Sequence, residues 1–387
     1  MAGHPYRDVA IVGVHNTAQA RLLEDHDSQS IATEGALGAL ADAGLGPADV
    51  DAVVGGFAQE LVLSLGLGPC TRVPNGLGIP TVLQAAQMVA AGQSRVVLVA
   101  AGGAGLYTER SATAPWTRPA NELVVGYGLF TAAEFALMAR RHMLTYGTTP
   151  RQLAVAAATV RNNGHVNPAA VYAGRGPFTP EDILASRMIA DPFHLLDCAM
   201  TSEGGCGLVL ARADVAEACR RPPVWLLGGD SDSFGPSYRM APVWDMPGRD
   251  GTVAGRVGAR AAAAAFRTAG LSPGDVDVAE LYDPFSFEIV RQMEVLGFCA
   301  EGEGGPFVEE GNVAPGGRIP VTTDGGTMSF SHAGLSAQQL QRVIRGVQQL
   351  RGECATAQVP GAEVAVCTNG GSGALFTDVL LLGSVRP

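Results

Sequence analysis

The strongest constraint on this chain's fold is a string that it contains twice. Ala43-Gly44-Leu45-Gly46-Pro47-Ala48-Asp49-Val50-Asp51 returns as Ala269-Gly270-Leu271-Ser272-Pro273-Gly274-Asp275-Val276-Asp277. Each copy closes an Ala-rich helical run, 31–43 and then 259–269. Gly supplies a left-handed cap there, and Pro follows because it cannot continue a helix. Each copy leads into an apolar strand-like run, 50–54 and 276–281, and each is preceded by another, 9–13 and 224–228. Further on, a helix over 79–91 leads to a strand over 95–100, and a helix over 337–350 to a strand over 363–367. Strand–helix–strand–helix–strand therefore occurs twice, dividing the chain into halves 1–222 and 223–387. Alternation of this kind predicts an α/β fold with a mostly parallel sheet covered by helices in each half.

Between these core segments lies a long insertion, about 106–198. Helices are expected over 132–146 and 149–162, then a turn and helix start at Pro177-Phe178-Thr179-Pro180-Glu181-Asp182. Long excursions of this type commonly form lids and binding walls.

Composition narrows the function. With 387 residues, 47% of them apolar and 16% charged, the chain can bury a large core. A net charge of -11 argues against general nucleic-acid or anionic-membrane binding. The cysteines at 70, 198, 206, 219, 299, 354 and 367 form no C-x-x-C pair, so no zinc site or dithiol motif is expected. Their odd number in a large chain fits reduced thiols in a cytoplasmic protein. No signal peptide or membrane-spanning run is read.

Several stretches resemble the thiolase-like proteins of the sterol-carrier type. They are Phe135 to Met143 with Tyr146-Gly147-Thr148, Asn167-Pro168-Ala169-Ala170, Leu195-Leu196-Asp197-Cys198, Leu296-Gly297-Phe298-Cys299, Asn312 to Gly317 and Thr323-Asp324-Gly325-Gly326. The resemblance covers nearly the whole chain. It implies the thiolase fold in a layered α/β/α/β/α arrangement, a homodimer, and CoA-thioester substrates. Coenzyme A would be part of the substrate, with no tightly bound cofactor and no metal.

The resemblance also assigns the site. Thiolases carry a nucleophilic Cys on the turn before the first half's buried helix; counting back from Gly92 places that position at Asn75, with Gly78 matching the motif's Gly. An amide cannot form an acyl-enzyme. Cys70, upstream, would substitute only if the loop differed. Tyr282-Asp283-Pro284-Phe285 stands where thiolases carry Asn-Glu-Ala-Phe, and a phenol there can donate to an oxyanion or transfer a proton. Ser329-Phe330-Ser331-His332-Ala333-Gly334 matches the segment bearing the catalytic His, with Ala333 replacing Pro. Cys367-Thr368-Asn369-Gly370-Gly371-Ser372-Gly373 resembles the loop whose Cys moves a proton at the substrate α-carbon, with Asn369 replacing a Gly.

The predicted catalytic set is therefore Tyr282, His332 and Cys367. Asn75, Gly78, Asp283, Ser331, Gly334, Gly370 and Gly371 are the expected substrate-binding positions. A site that handles an enolate but lacks the acylation nucleophile fits retro-aldol cleavage of a β-hydroxyacyl-CoA, as in steroid side-chain aldolases. In that reading Tyr282 is the base, His332 binds the oxyanion and Cys367 protonates the α-carbon, and the first and last roles are exchangeable. The alternatives are a thiolase or acyltransferase using Cys70 or Cys367, and a catalytically silent scaffolding subunit. The resemblance further suggests a small OB-fold, zinc-ribbon accessory protein, because basic residues that could receive CoA phosphates are sparse.

Overall fold

The computed structural model describes residues 3–74, 76, 78–105, 131–234, 245, 247, 251–334, 336–371 and 376–387. Asn75 and most of the first third of the insertion (106–130) lie outside the described residues.

The first half contains β1 (Val9–Asn16), α1 (Ser28–Ala43), β2 (Ala52–Val54), α2 (Ala58–Ser64), β3 (Thr71–Val73), α3 (Gly78–Ala90) and β4 (Val96–Gly103). The insertion contributes α4 (Thr131–Tyr146), α5 (Pro150–Val166) and a small ribbon of β5 (Met188–Ala190) with β6 (Phe193–His194). Strand β7 (Gly204–Arg212) then returns to the sheet. The second half has β8 (Val224–Ser233), α6 (Ala259–Ala269), β9 (Val278–Glu280), α7 (Ser286–Val295), α8 (Ala337–Arg351), β10 (Val364–Gly371) and β11 (Phe376–Gly383).

The nine-stranded sheet has the order β3-β2-β4-β7-β1-β8-β11-β10-β9. Its two sides repeat one another. The pairs β2–β4 and β9–β10 are parallel; β4–β7 and β10–β11 are antiparallel; β7–β1 and β11–β8 are antiparallel. Even the parallel partner β3 beside β2 has an echo, a bridge from Ala279 to Val321. The sides join where β1 meets β8, through Ala10↔Trp225 and Ile11↔Val224.

The expectation of a mostly parallel sheet is corrected here. Each βαβαβ unit is followed by one more strand, β7 or β11, that runs antiparallel to both neighbours. For β11 the reason is local: the connection 372–375 is too short for a crossover and permits only an antiparallel return.

Layering follows from strand alternation. Ala10 and Val12 of β1 join one apolar cluster with Ala36, Ala39 and Leu40 of α1. Val9 and Ile11 join another with Ile79 and Val82 of α3 and Leu340 and Ile344 of α8. Leu380 and Leu382 of β11 also face this inner cluster, while Val379 and Leu381 face outward with Ala261 and Ala265 of α6. The order is therefore α1, first sheet side, the central pair α3 and α8, second sheet side, α6. The outer helices sit close enough that a Cβ at Gly13 would collide with Ala39 O, and one at the equivalent Gly228 with Ala265 O.

Candidate active site

The site is assembled where β9, the turn before α8 and the end of the insertion meet. Strand β9 ends in buried Glu280, whose carboxylate accepts from the N–H (3.0 Å) and Oγ1 (2.5 Å) of Thr323. Burial and the nearby Asp324 push this carboxyl up to about 7. Tyr282 follows. Its N–H donates to Thr368 Oγ1 (3.1 Å) and its carbonyl accepts from Gln292 Nε2 (2.8 Å). Thr368 Oγ1 in turn donates to Gln292 Oε1 at 2.5 Å, so β10 and α7 together fix the tyrosine's backbone.

Asp283 turns away from the cavity. It accepts from the N–H groups of Thr327 (2.8 Å) and Met328 (3.1 Å), holding the π-helical turn Gly326–Phe330. Burial raises its carboxyl to about 7, opposed by Arg342 and those two N–H groups. Expected at a substrate-binding position, Asp283 is used in the structure to hold the turn that leads to Ser331 and His332.

Ser331 is fully buried, and its hydroxyl donates to Gln19 Oε1 at 2.7 Å. It fastens the loop rather than lining the cavity. His332 N–H donates to Ser202 Oγ (2.8 Å), and its ring Nδ1 lies 2.5 Å from Met200 O. A carbonyl oxygen can only accept, so Nδ1 carries the hydrogen. In the neutral ring Nε2 then bears the lone pair. That geometry suits a proton acceptor in the neutral ring and, once the ring is protonated, an Nε2–H donor.

The segment 198–203 closes the opposite wall. Ala199 N–H donates to Pro284 O (2.9 Å) and Met200 N–H to Thr327 O (3.2 Å). Buried Arg161 of α5 spans both walls, donating to Leu196 O (2.6 Å), Cys198 O (2.8 Å) and Met328 O (3.0 Å). Between these walls lies a cavity of about 260 Å³ lined by Thr131, Ala132, Ile189, Leu195, Cys198, Ala199, Met200, Thr201, Tyr282, Pro284, Phe285, His332 and Gln338. The structure brings Tyr282 and His332 together on it. Mostly apolar lining with a few polar groups is what a small-ligand site requires.

Cys367 does not join them. Its side chain is fully buried in the inner cluster, and its Sγ packs where a Cβ at Gly346 would stand. Burial first, and Glu280 second, hold its thiol well above the ordinary range. Strand alternation puts Cys367 on the same face as Ala365, toward the helices, and this placement lends no support to its expected proton-donor role. The neighbouring glycines do approach the site: a Cβ at Gly370 would meet the Tyr282 ring at 3.7 Å. Gly371 sits against Phe376 instead, Gly334 against the backbone of Gly103, and Gly78 against Gln339 and Asn369. Asn369 Oδ1 accepts from Ile79 N–H (3.1 Å), tying β10 to the first turn of α3.

Two cavity residues escape a motif-based reading. Cys198 stands in the Leu-Leu-Asp-Cys stretch, but nothing in that string shows that its side chain reaches the site. Its thiol is pushed up to about 12 by burial and by Asp197, which disfavours the nucleophilic thiolate. Gln338 lies in the first turn of α8 and is recognisable only from its burial against the cavity. Among the described residues no cluster of three or more His, Cys, Asp or Glu could hold a metal ion, and no helix is long and apolar enough to cross a membrane.

Comparison with known proteins agrees with this architecture. Residues 249–384 match the family described as Thiolase C-terminal domain-like. The chain is 35% identical to an acetyl-CoA acetyltransferase of Methanothermobacter thermautotrophicus, over 95% of this chain and 97% of that one. It is 33% identical to a steroid side-chain-cleaving aldolase of Thermomonospora curvata, over 92% and 93% of the two chains. Among solved structures, an Ltp2-ChsH2(DUF35) aldolase superposes with a TM-score of 0.84 at 30% identity, covering 97% of this chain and 98% of its own. With sequence, fold and site in agreement, the chain belongs to the thiolase-like superfamily of the sterol-carrier type and is an enzyme of that superfamily.

Proposed function

We propose that this enzyme is a retro-aldol carbon–carbon lyase that splits a β-hydroxyacyl-CoA into a carbonyl compound and a shorter acyl-CoA. The observation that carries the reading is the joint placement of Tyr282 and His332 on one cavity whose thiol, Cys198, is held protonated. His332 Nε2 takes the β-hydroxyl proton. The C–C bond then breaks, its electron pair moving into the thioester enolate as the β-carbon becomes a carbonyl. Tyr282 O–H donates to the enolate oxygen. The imidazolium returns the same proton to the α-carbon, so the reaction balances without Cys367 and without a cofactor. The likeness to a steroid side-chain-cleaving aldolase supports a steroid or other lipid side chain as the acyl group. Incubating the protein with a panel of β-hydroxyacyl-CoAs should release a carbonyl product and a shorter acyl-CoA in equal amounts. Release of free CoA with an acylated cysteine would instead establish acyl transfer, the second reading, which the 35% identity to an acetyl-CoA acetyltransferase favours.

The working assembly in this reading is a cytoplasmic homodimer that pairs through β3, with a small OB-fold, zinc-ribbon subunit completing the substrate channel. Strand β3 is the sheet's first-half edge, and Thr71 and Arg72 on it are exposed. Strand β4, although almost wholly apolar, is internal and is not available for such pairing. The accessory subunit draws support from the likeness to an Ltp2-ChsH2(DUF35) aldolase. Sedimentation at micromolar concentration should give a dimer, and turnover should rise on adding the accessory subunit. A monomer, or full turnover by the chain alone, would contradict this assembly.

A further inference from the structure

We infer that Gln338 is a substrate-binding residue whose carboxamide NH2 donates to the acyl thioester oxygen beside Tyr282. The inference rests on the reading of this cavity as an acyl-CoA site. Gln338 is 3% exposed and lines the cavity that Tyr282 and His332 share. Its Oε1 is buried with no hydrogen-bond partner among the described residues. Its Nε2 makes no hydrogen bond to a described residue either, so the amide's donor capacity is left for whatever occupies the cavity.

The neighbouring glutamines of α8 sharpen the contrast. Oε1 of Gln339 and of Gln341 is buried without a partner as well, but Gln339 Nε2 donates to Gly370 O (3.4 Å) and Gln341 Nε2 to Gln19 Oε1 (3.1 Å), so the NH2 end of each is taken by the protein. Gln338 faces the cavity instead. The acyl group of a CoA ester offers one strong acceptor, the thioester oxygen. That oxygen gains charge when the enolate forms, and it has room for two donors. Tyr282 O–H is one. Gln338 NH2 supplies the second, and a two-donor site is what stabilises an oxyanion most.

The test compares butanoyl-CoA with S-butyl-CoA, a thioether of the same length that lacks the carbonyl. Titration calorimetry on the wild-type enzyme should show tighter binding of the thioester. Gln338→Met keeps the side chain's length and loses both amide ends. Gln338→Glu keeps acceptors and loses the donor. Each should lower thioester affinity about tenfold while leaving thioether affinity unchanged, the scale of one lost hydrogen bond. Lyase kcat should fall about a hundredfold in both variants. If both variants keep the wild-type preference for the thioester, or lose affinity for both probes equally, Gln338 does not contact the carbonyl and the inference is overturned while the site reading stands. If the wild type itself shows no preference, the cavity does not bind the carbonyl, and the site reading fails with the inference.

Discussion

Helices α3 and α8 occupy equivalent places in the two halves and touch across the central layer, yet their sequences have little in common. Helix α3 buries Ile79, Val82, Leu83, Met88 and Val89 and contains no charged residue. Helix α8 buries Gln338, Gln339, Gln341, Arg342, Arg345 and Gln349. Arg342 makes a two-pronged pair with Asp324 at 2.7 and 2.9 Å, and Arg345 donates to Thr323 Oγ1 at 2.8 Å. The duplicated scaffold needs only an apolar helix at this position, as α3 demonstrates. Polarity in α8 is therefore set by what the second half must hold in place: the loop from Thr323 to His332, and through it the cavity. The lesson is that duplication fixes the backbone, and the halves then diverge where one of them holds the loop beside the cavity.

The largest effect is expected from breaking the polar side of that contrast. Arg342→Met leaves the Asp324 carboxylate buried without its cation and should cost about 3–5 kcal/mol in urea unfolding. Adding Asp324→Asn removes the stranded charge and should recover part of the loss, because a pair is worth less than either partner left alone. If the double variant is no more stable than Arg342→Met, the pair is not the element that organises this layer.

The turns ahead of the two helices give the second comparison. His332 precedes α8, and Asn75 precedes α3. His332→Ala should lower kcat/KM for the cleaved acyl-CoA about a thousandfold, within the usual range for a general base. Asn75→Ala should stay within about tenfold, and Asn75→Cys should yield no acylated enzyme detectable by mass spectrometry. Loss of activity in a folded Asn75→Ala protein would show that the first half also carries chemistry, and the asymmetry would disappear.

These contrasts also show what could be read from the chain before its structure. The duplication and the βαβαβ order follow from the repeated Gly–Leu–x–Pro–x–Asp–Val–Asp string and the apolar runs around it. Strand direction does not, because β7 and β11 carry only continuous apolar runs, Leu208–Leu210 and Val379–Leu382, that fit either sense. For His332 and Tyr282, motif position and cavity coincide. For Cys367 they do not: its motif is equally good, but the two-residue period of β10 turns its side chain to the core. Gln338 stands in no motif, and the stretch that contains Cys198 does not show where its thiol points; only the folded chain puts both on the cavity.

The smallest effect concerns the repeated turn itself. Gly44 and Gly270 cap α1 and α6 with φ of 76° and 68°, nearly the same left-handed conformation. Replacing either by Ala forces a Cβ into that region, at a cost of about 1 kcal/mol. The surroundings differ. A Cβ at Gly44 would meet Arg220 Cβ at 3.1 Å, whereas at Gly270 nothing lies within 4 Å. Gly44→Ala should therefore destabilise the protein by a further few tenths of a kcal/mol relative to Gly270→Ala, since the neighbour must shift to admit the methyl group. Paired urea titrations of the two single variants measure this difference directly. Equal losses would mean that the chain at Arg220 yields without cost, and that the repeated turn contributes the same stability in both halves even though only one of them holds the cavity's polar support.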